Sequence, residues 1–111
     1  MYGLLERDVY YIKYALRAFP EIEKAILFGS RALGNYKQGS DVDIALVGKK
    51  VDSHIINKLS ARLNEELPIP YHVDVLNYAT ISNQKLKEHI VQYGIEMYRK
   101  QDNLKNEFSK K

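Results

Sequence analysis

Apolar and polar positions change period several times along the chain, and each change marks an element. From Leu5 the apolar residues Leu5, Val9, Ile12, Leu16 and Phe19 step by four, three, four and three, one stripe of an amphipathic helix that Pro20 stops. Lys24-Ala-Ile-Leu-Phe-Gly29 is too short for a typical helix and is closed by glycine, so it predicts a buried strand. Arg31 to Ser40 carries Gly34, Asn35 and Gly39 and predicts a short helical turn followed by a loop. Asp41 to Val47 then alternates, with Val42, Ile44 and Leu46 on one face and Asp41, Asp43, Ala45 and Val47 on the other, as a second strand does.

From Asp52 or Ser53 to about Glu66, Ile56, Leu59 and Leu63 share one helical side behind a polar cap candidate, and Pro68 and Pro70 end the helix. Tyr71 to Asn77 is rich in strand formers, with Val73 and Val75 facing opposite to Asp74. A last helix from near Ser82 points Leu86, Ile90 and Tyr93 inward, with Gly94 expected in left-handed backbone just past its end. Ile95 to Arg99 reads as a short edge strand. Helices and strands alternating through short loops predict an α/β (α+β) fold, a small mixed sheet with helices packed on it. Residues 1–100 are expected to form one domain. The polar segment 101–111, with Leu104 and Phe108 at helical spacing, is expected to be a tail that frays or is ordered by a partner.

The composition, 45% hydrophobic and 28% charged in 111 residues, matches a globular protein with one core. The absence of cysteine excludes disulfides, thiolate metal sites and cysteine nucleophiles. No apolar run approaches the roughly 20 residues that span a bilayer, so neither membrane insertion nor secretion is expected and a cytoplasmic location fits best. A net charge of +3 neither demands nor excludes nucleic acid. Lys49, Lys50, Lys58 and Arg62 read as a solvated face without an aromatic platform between them, so direct nucleic-acid binding is not expected.

The candidate chemistry lies in three carboxylates and a Gly-Ser pair. Gly29-Ser30 closes the first strand; after ten residues Asp41-Val-Asp43 opens the second. Side chains at i and i+2 share a strand face, so Asp41 and Asp43 project together, and Asp74 joins them if its strand is a neighbour in suitable register. Three carboxylates in one place repel, raise their pKa values or take up a cation, and an all-oxygen set suits hard ions such as Mg²⁺ or Mn²⁺. Glycine at a strand end admits close approach to the backbone, and Ser30 offers a hydroxyl and an N–H at a helix start, where phosphate is the matching ligand. Ser30 also reads as a plain helix N-cap, and the two roles are compatible. Arg31 is either a phosphate ligand or half of a surface ion pair. His72 shares the face of Asp74 and could touch the site, whereas His54 and His89 read as surface residues. Tyr10, Tyr11 and Tyr14 cluster beside the first helix's apolar stripe, either as a partner surface or as the edge of the core.

The run Gly29-Ser30-Arg31-Ala32-Leu33-Gly34, continuing through Ser40 to Asp41-Val42-Asp43-Ile44, with Asp74 on a later strand, resembles the minimal nucleotidyltransferase (MNT) proteins of the DNA polymerase β-like superfamily. The resemblance covers about Ala25 to Tyr78. Leu33 departs from it, because many relatives carry a basic residue there; Lys37 could substitute. The resemblance implies a polymerase β-like core in which Asp41 and Asp43 bind two Mg²⁺ ions. Asp74 would complete one metal site and help activate an attacking hydroxyl, while Gly29 and Ser30 would hold the β- and γ-phosphates of ATP. It further implies transfer of AMP to an acceptor with release of pyrophosphate. Stand-alone members of this size resemble antitoxins paired with a HEPN-domain ribonuclease toxin, and a tyrosine of that toxin is the acceptor the family implies. Two alternatives stay open: a binding module that neutralises its partner by occlusion, and a transferase for a small molecule or an RNA end.

Overall fold

The computed structural model describes residues 2–100, so the expectation for the tail at 101–111 lies outside the described residues. Four strands, β1 (Lys24–Phe28), β2 (Val42–Val47), β3 (Val73–Asn77) and β4 (Ile95–Arg99), form one sheet in the order β3-β2-β1-β4. β1 runs antiparallel to both β2 and β4, and β2 runs parallel to β3, which makes the sheet mixed, with β4 at an edge as its sequence predicts. Helices α1 (Glu6–Arg17), α2 (Ser30–Leu33), α3 (Ser53–Ala61) and α4 (Gln84–Tyr93) connect and cover the strands. No helix among the described residues is long and apolar enough to cross a membrane.

The alternation read in β2 sorts the core into two layers. Val42, Ile44 and Leu46 join Leu27 and Val73 under Ile12 and Leu16 of α1 and Ile55 and Leu59 of α3. The opposite face is smaller: Phe28, Ala45 and Ile90 are buried there, with Leu76 and Leu86 packed against them. Asp43 lies between Val42 and Ile44 and therefore projects toward this thinner layer, where half-burial is possible.

Four local expectations are corrected. Leu5 is 57% exposed and Leu4 is buried in its place, because α1 starts at Glu6 and the extended backbone at Leu5 takes that residue off the helical stripe. In α3 the stripe is Ile55, Leu59 and Leu63, with Ile56 only partly buried. Tyr93 is 48% exposed instead of pointing inward. Gly94 has φ −64°, not left-handed backbone; glycine is needed there because a Cβ would run into the Ile90 carbonyl and the Ile26 side chain as the chain turns into β4.

The caps follow the polar signals. Asp52 Oδ1 accepts from Ile55 N–H at 3.0 Å to start α3, and Asn83 Oδ1 accepts from Leu86 N–H at 3.1 Å to start α4, two residues later than Ser82 suggests. Asp8, wholly buried on α1, accepts from Leu5 N–H at 3.1 Å through Oδ2. The helix that begins with α3 ends in one π-helical turn, Arg62–Glu66, closed by Leu67 N–H donating to Arg62 O at 3.1 Å. This turn carries Asn64 to the open side of β3. Its amide donates to Val73 O at 2.9 Å and accepts from Val73 N–H at 2.8 Å, so one side chain completes the ladder that β3 lacks on that side. Asn64 therefore fixes the backbone beside Asp74. Asn64→Ala leaves both Val73 groups without that partner, and a loss of about 1–3 kcal/mol is expected in urea unfolding, with an unchanged m-value.

Candidate active site

The sheet register brings the carboxylates together. Antiparallel pairing sets Asp43 opposite Phe28, the residue before Gly29, and parallel pairing sets Asp43 beside Asp74. Paired residues of adjacent strands project to the same face, so Asp43 and Asp74 share one face, and Asp41, two residues upstream of Asp43, extends the group into solvent. Among the described residues no three His, Asp or Glu side chains converge closely enough to hold a metal ion as they stand. The acids stand side by side, and His72 Nε2 lies 3.0 Å from Asp74 Oδ1, so His72 does meet the site's third carboxylate.

Gly29 supplies the floor. Its φ of +78° with ψ −155° is backbone that essentially only glycine adopts. A Cβ at this position would lie 2.5 Å from Asp43 Oδ2. Glycine thus serves two needs at once: it lets β1 turn into α2, and it lets a carboxylate rest on the main chain. Ser30 follows as the first residue of α2, half-buried, with its carbonyl accepting from Gly34 N–H at 2.9 Å. The motif that the sequence spreads over fifteen residues closes in space at one strand end.

Electrostatics at Asp43 follow from this crowding. Its pKa is raised above the ordinary aspartate value, first by burial, then by the charges of Asp74 and Asp41; His72 and Arg31 pull it the other way. A half-buried carboxylate with two like-charged carboxylate neighbours fits a divalent hard cation, which would relieve the repulsion that His72 and Arg31 offset only in part.

Arg31 is placed differently from both expectations. It is only 2% exposed, with neither a surface ion pair nor a guanidinium turned to an open phosphate site. Nε and Nη2 donate to Ser40 O at 3.1 and 2.7 Å, Nη1 donates to Tyr2 O at 2.9 Å, and the guanidinium lies 4.6 Å from the Tyr71 ring centre and 5.1 Å from that of Tyr36. Arg31 clamps the end of the loop that delivers Asp41 and leaves its charge near Asp43. Leu33, the last residue of α2, is 47% exposed. His54 is exposed as expected, but His89 is half-buried and reaches Gly29, which the sequence reading missed. Tyr10 and Tyr14 face solvent and stack at 6.3 Å, so these two are not the edge of the core.

Residues 11–103 match the family model described as polymerase beta, nucleotidyltransferase. The chain belongs to this family. Solved structures give this nucleotidyltransferase the same fold. A toxin–antitoxin crystal structure with AMP-PNP is 23% identical, covers 96% of this chain and 83% of its own, and has a TM-score of 0.68. A tri-AMPylated Shewanella oneidensis HEPN toxin in complex with MNT antitoxin is 20% identical over 91% of this chain and 77% of its own, at a TM-score of 0.64. A putative nucleotidyltransferase from Sulfolobus solfataricus is 21% identical, covers 92% of this chain and 91% of its own, and has a TM-score of 0.51. No curated protein matches the sequence.

Two outcomes are expected from this geometry. With its pKa raised on folding, Asp43 binds a proton more readily in the native chain than in the unfolded one. Stability therefore falls as pH rises from the ordinary aspartate value through the raised one, and the ionised group destabilises the fold above it. Asp43→Asn is expected to raise Tm at pH 7 in metal-free buffer, with the difference closing as pH falls below about 3.9, the ordinary aspartate value. Arg31→Met, which keeps bulk but removes the donors to Ser40 O and Tyr2 O, is expected to lower unfolding free energy by about 2 kcal/mol or more in urea titration.

Proposed function

We propose that this nucleotidyltransferase is a Mg²⁺-dependent protein adenylyltransferase that moves AMP from ATP onto a tyrosine hydroxyl of a HEPN-domain ribonuclease toxin and so neutralises it as its antitoxin. The observation that carries the reading is Asp43, seated on the Gly29 backbone and in register with Asp74. That juxtaposition gathers the Gly-Ser turn and the carboxylates on one sheet end, which suits a triphosphate with its cations. The AMPylated toxin found with a structurally similar MNT antitoxin supports the acceptor class. The similar structure with AMP-PNP supports ATP as the donor. Both reactants and Mg²⁺ meet in the cytoplasm.

In this reading Asp41 and Asp43 are the shared metal ligands, and Asp74 completes one of the two sites. Bound there, Mg²⁺ supplies charge neutralisation to the triphosphate and to the leaving group. Ser30, at the turn from β1 into α2, holds the β- and γ-phosphates with the Gly29 turn. Arg31 contributes its positive charge from beneath the loop; its hydrogen bonds go to Ser40 and Tyr2 carbonyls. The acceptor oxygen attacks the α-phosphorus, the bond from that phosphorus to the bridging oxygen breaks, and pyrophosphate leaves with the electron pair. Asp74 takes part in drawing the proton from the acceptor hydroxyl, steadied by His72 at 3.0 Å on Oδ1.

The test is incubation with α-labelled ATP and Mg²⁺, alone and with the HEPN-domain protein encoded beside it. Label is expected on the partner, and Asp43→Asn should cut the rate at least about 100-fold while the partner stays bound. Unlabelled partner that is nevertheless bound and silenced would overturn catalysis in favour of occlusion. Turnover onto a small molecule or RNA end without the protein partner would overturn the acceptor.

A further inference from the structure

β1 ends at Phe28, so the N–H of Gly29 leaves the strand with no ladder partner, inside a half-buried turn. Its acceptor comes from the far side of the molecule in sequence: Nε2 of His89, at 3.0 Å, on α4. The imidazole is held on both sides. It packs edge-on to Phe28 with ring centres 6.2 Å apart and tilted against Tyr93 at 5.6 Å, while Ile90, the next residue, is buried against the thin face of the sheet. Accepting an N–H leaves Nε2 unprotonated and assigns the ring proton to Nδ1.

We infer that His89 is a positioning residue for the nucleotide: by accepting the Gly29 N–H it fixes the one backbone unit on which the phosphate-binding turn pivots. The inference rests on the nucleotide reading given above. Gly29, at φ +78°, has the widest conformational freedom of any residue type, and its peptide can rotate at little cost unless something holds it. Rotation there would swing Ser30, the next residue, and would lift the main chain off Asp43 Oδ2. The hydrogen bond from α4 removes that freedom before the ligand arrives, so the ordering cost is not charged to nucleotide binding. It also occupies the Gly29 amide, so the donors left for phosphate begin at Ser30. His89 does not touch the reacting atoms; it acts through the glycine.

Two substitutions separate the hydrogen bond from the packing. His89→Phe keeps an aromatic ring between Phe28 and Tyr93 but has no acceptor, and His89→Gln loses the ring but places an amide oxygen where Nε2 stood. Binding of the α,β-methylene analogue of ATP, which cannot be cleaved at the transferred bond, is measured with Mg²⁺ by calorimetry on the isolated protein. The KM for ATP and kcat are measured with the partner present. His89→Phe is expected to weaken analogue binding and raise KM by about tenfold, with a much smaller fall in kcat, and His89→Gln to recover most of the affinity. Thermal unfolding of each variant reports folding separately. A folded His89→Phe protein with wild-type affinity would overturn the inference, as would His89→Gln binding no better than His89→Phe. Failure of the wild-type protein itself to bind the analogue would instead overturn the nucleotide reading.

Discussion

The contact between the Gly29 main chain and the Asp43 carboxylate governs the rest of this structure. It requires β1 and β2 to pair in the register that sets Phe28 opposite Asp43, and a residue without a side chain at the turn. It also requires a thin layer above this face of the sheet, so that the acid is half-buried and still reachable. A thicker second layer would bury the carboxylate without a partner; none at all would leave it as an ordinary surface charge. The asymmetry of the two core layers is thus a condition for the site.

Around that contact the fold holds each neighbour with a different device. Parallel pairing sets Asp74 beside Asp43, and Asn64, delivered by a π-helical turn, stands in for the strand that would have lain outside β3. Arg31 holds the loop before Asp41 through two backbone carbonyls and two tyrosine rings. His89 reaches over from α4 to the glycine itself. These supports come from four separate stretches of chain and meet where three like charges would otherwise drive the local structure apart. The pKa of Asp43 is raised first by its burial and then by that repulsion. Carboxylate sites that take up metal cations commonly carry such a cost in stability, because the cation supplies the missing charge.

Membership in the polymerase beta nucleotidyltransferase family rests on the match over residues 11–103, and the structural likeness to antitoxins found with HEPN toxins agrees with the fold that the match implies. Arg31 shows the limit of motif reading. It stands beside the Gly-Ser pair, as a phosphate ligand would, yet its donors turn inward to Ser40 and Tyr2. A residue's place in a motif gives its neighbours in sequence; which way its long side chain turns depends on the loops that close over it.

The strands and helices were legible because each buries one face, and burial leaves a period in the sequence: the alternation of Val42, Ile44 and Leu46, and the stripe of Ile12 and Leu16. The closeness of Asp41 to Asp43 follows from their separation of two residues, although Asp41 lies exposed just before β2 begins at Val42. Tertiary structure alone decided whatever depends on a partner distant in sequence: the register that sets Asp74 beside Asp43, the exposure of Leu5 and Tyr93, and the partners of Arg31, Asn64 and His89. Hydrogen bonds across such separations leave no period, because each is a single directional contact. Hydrophobic burial is shared along a whole face, and so it alone is written repeatedly into the order of the residues.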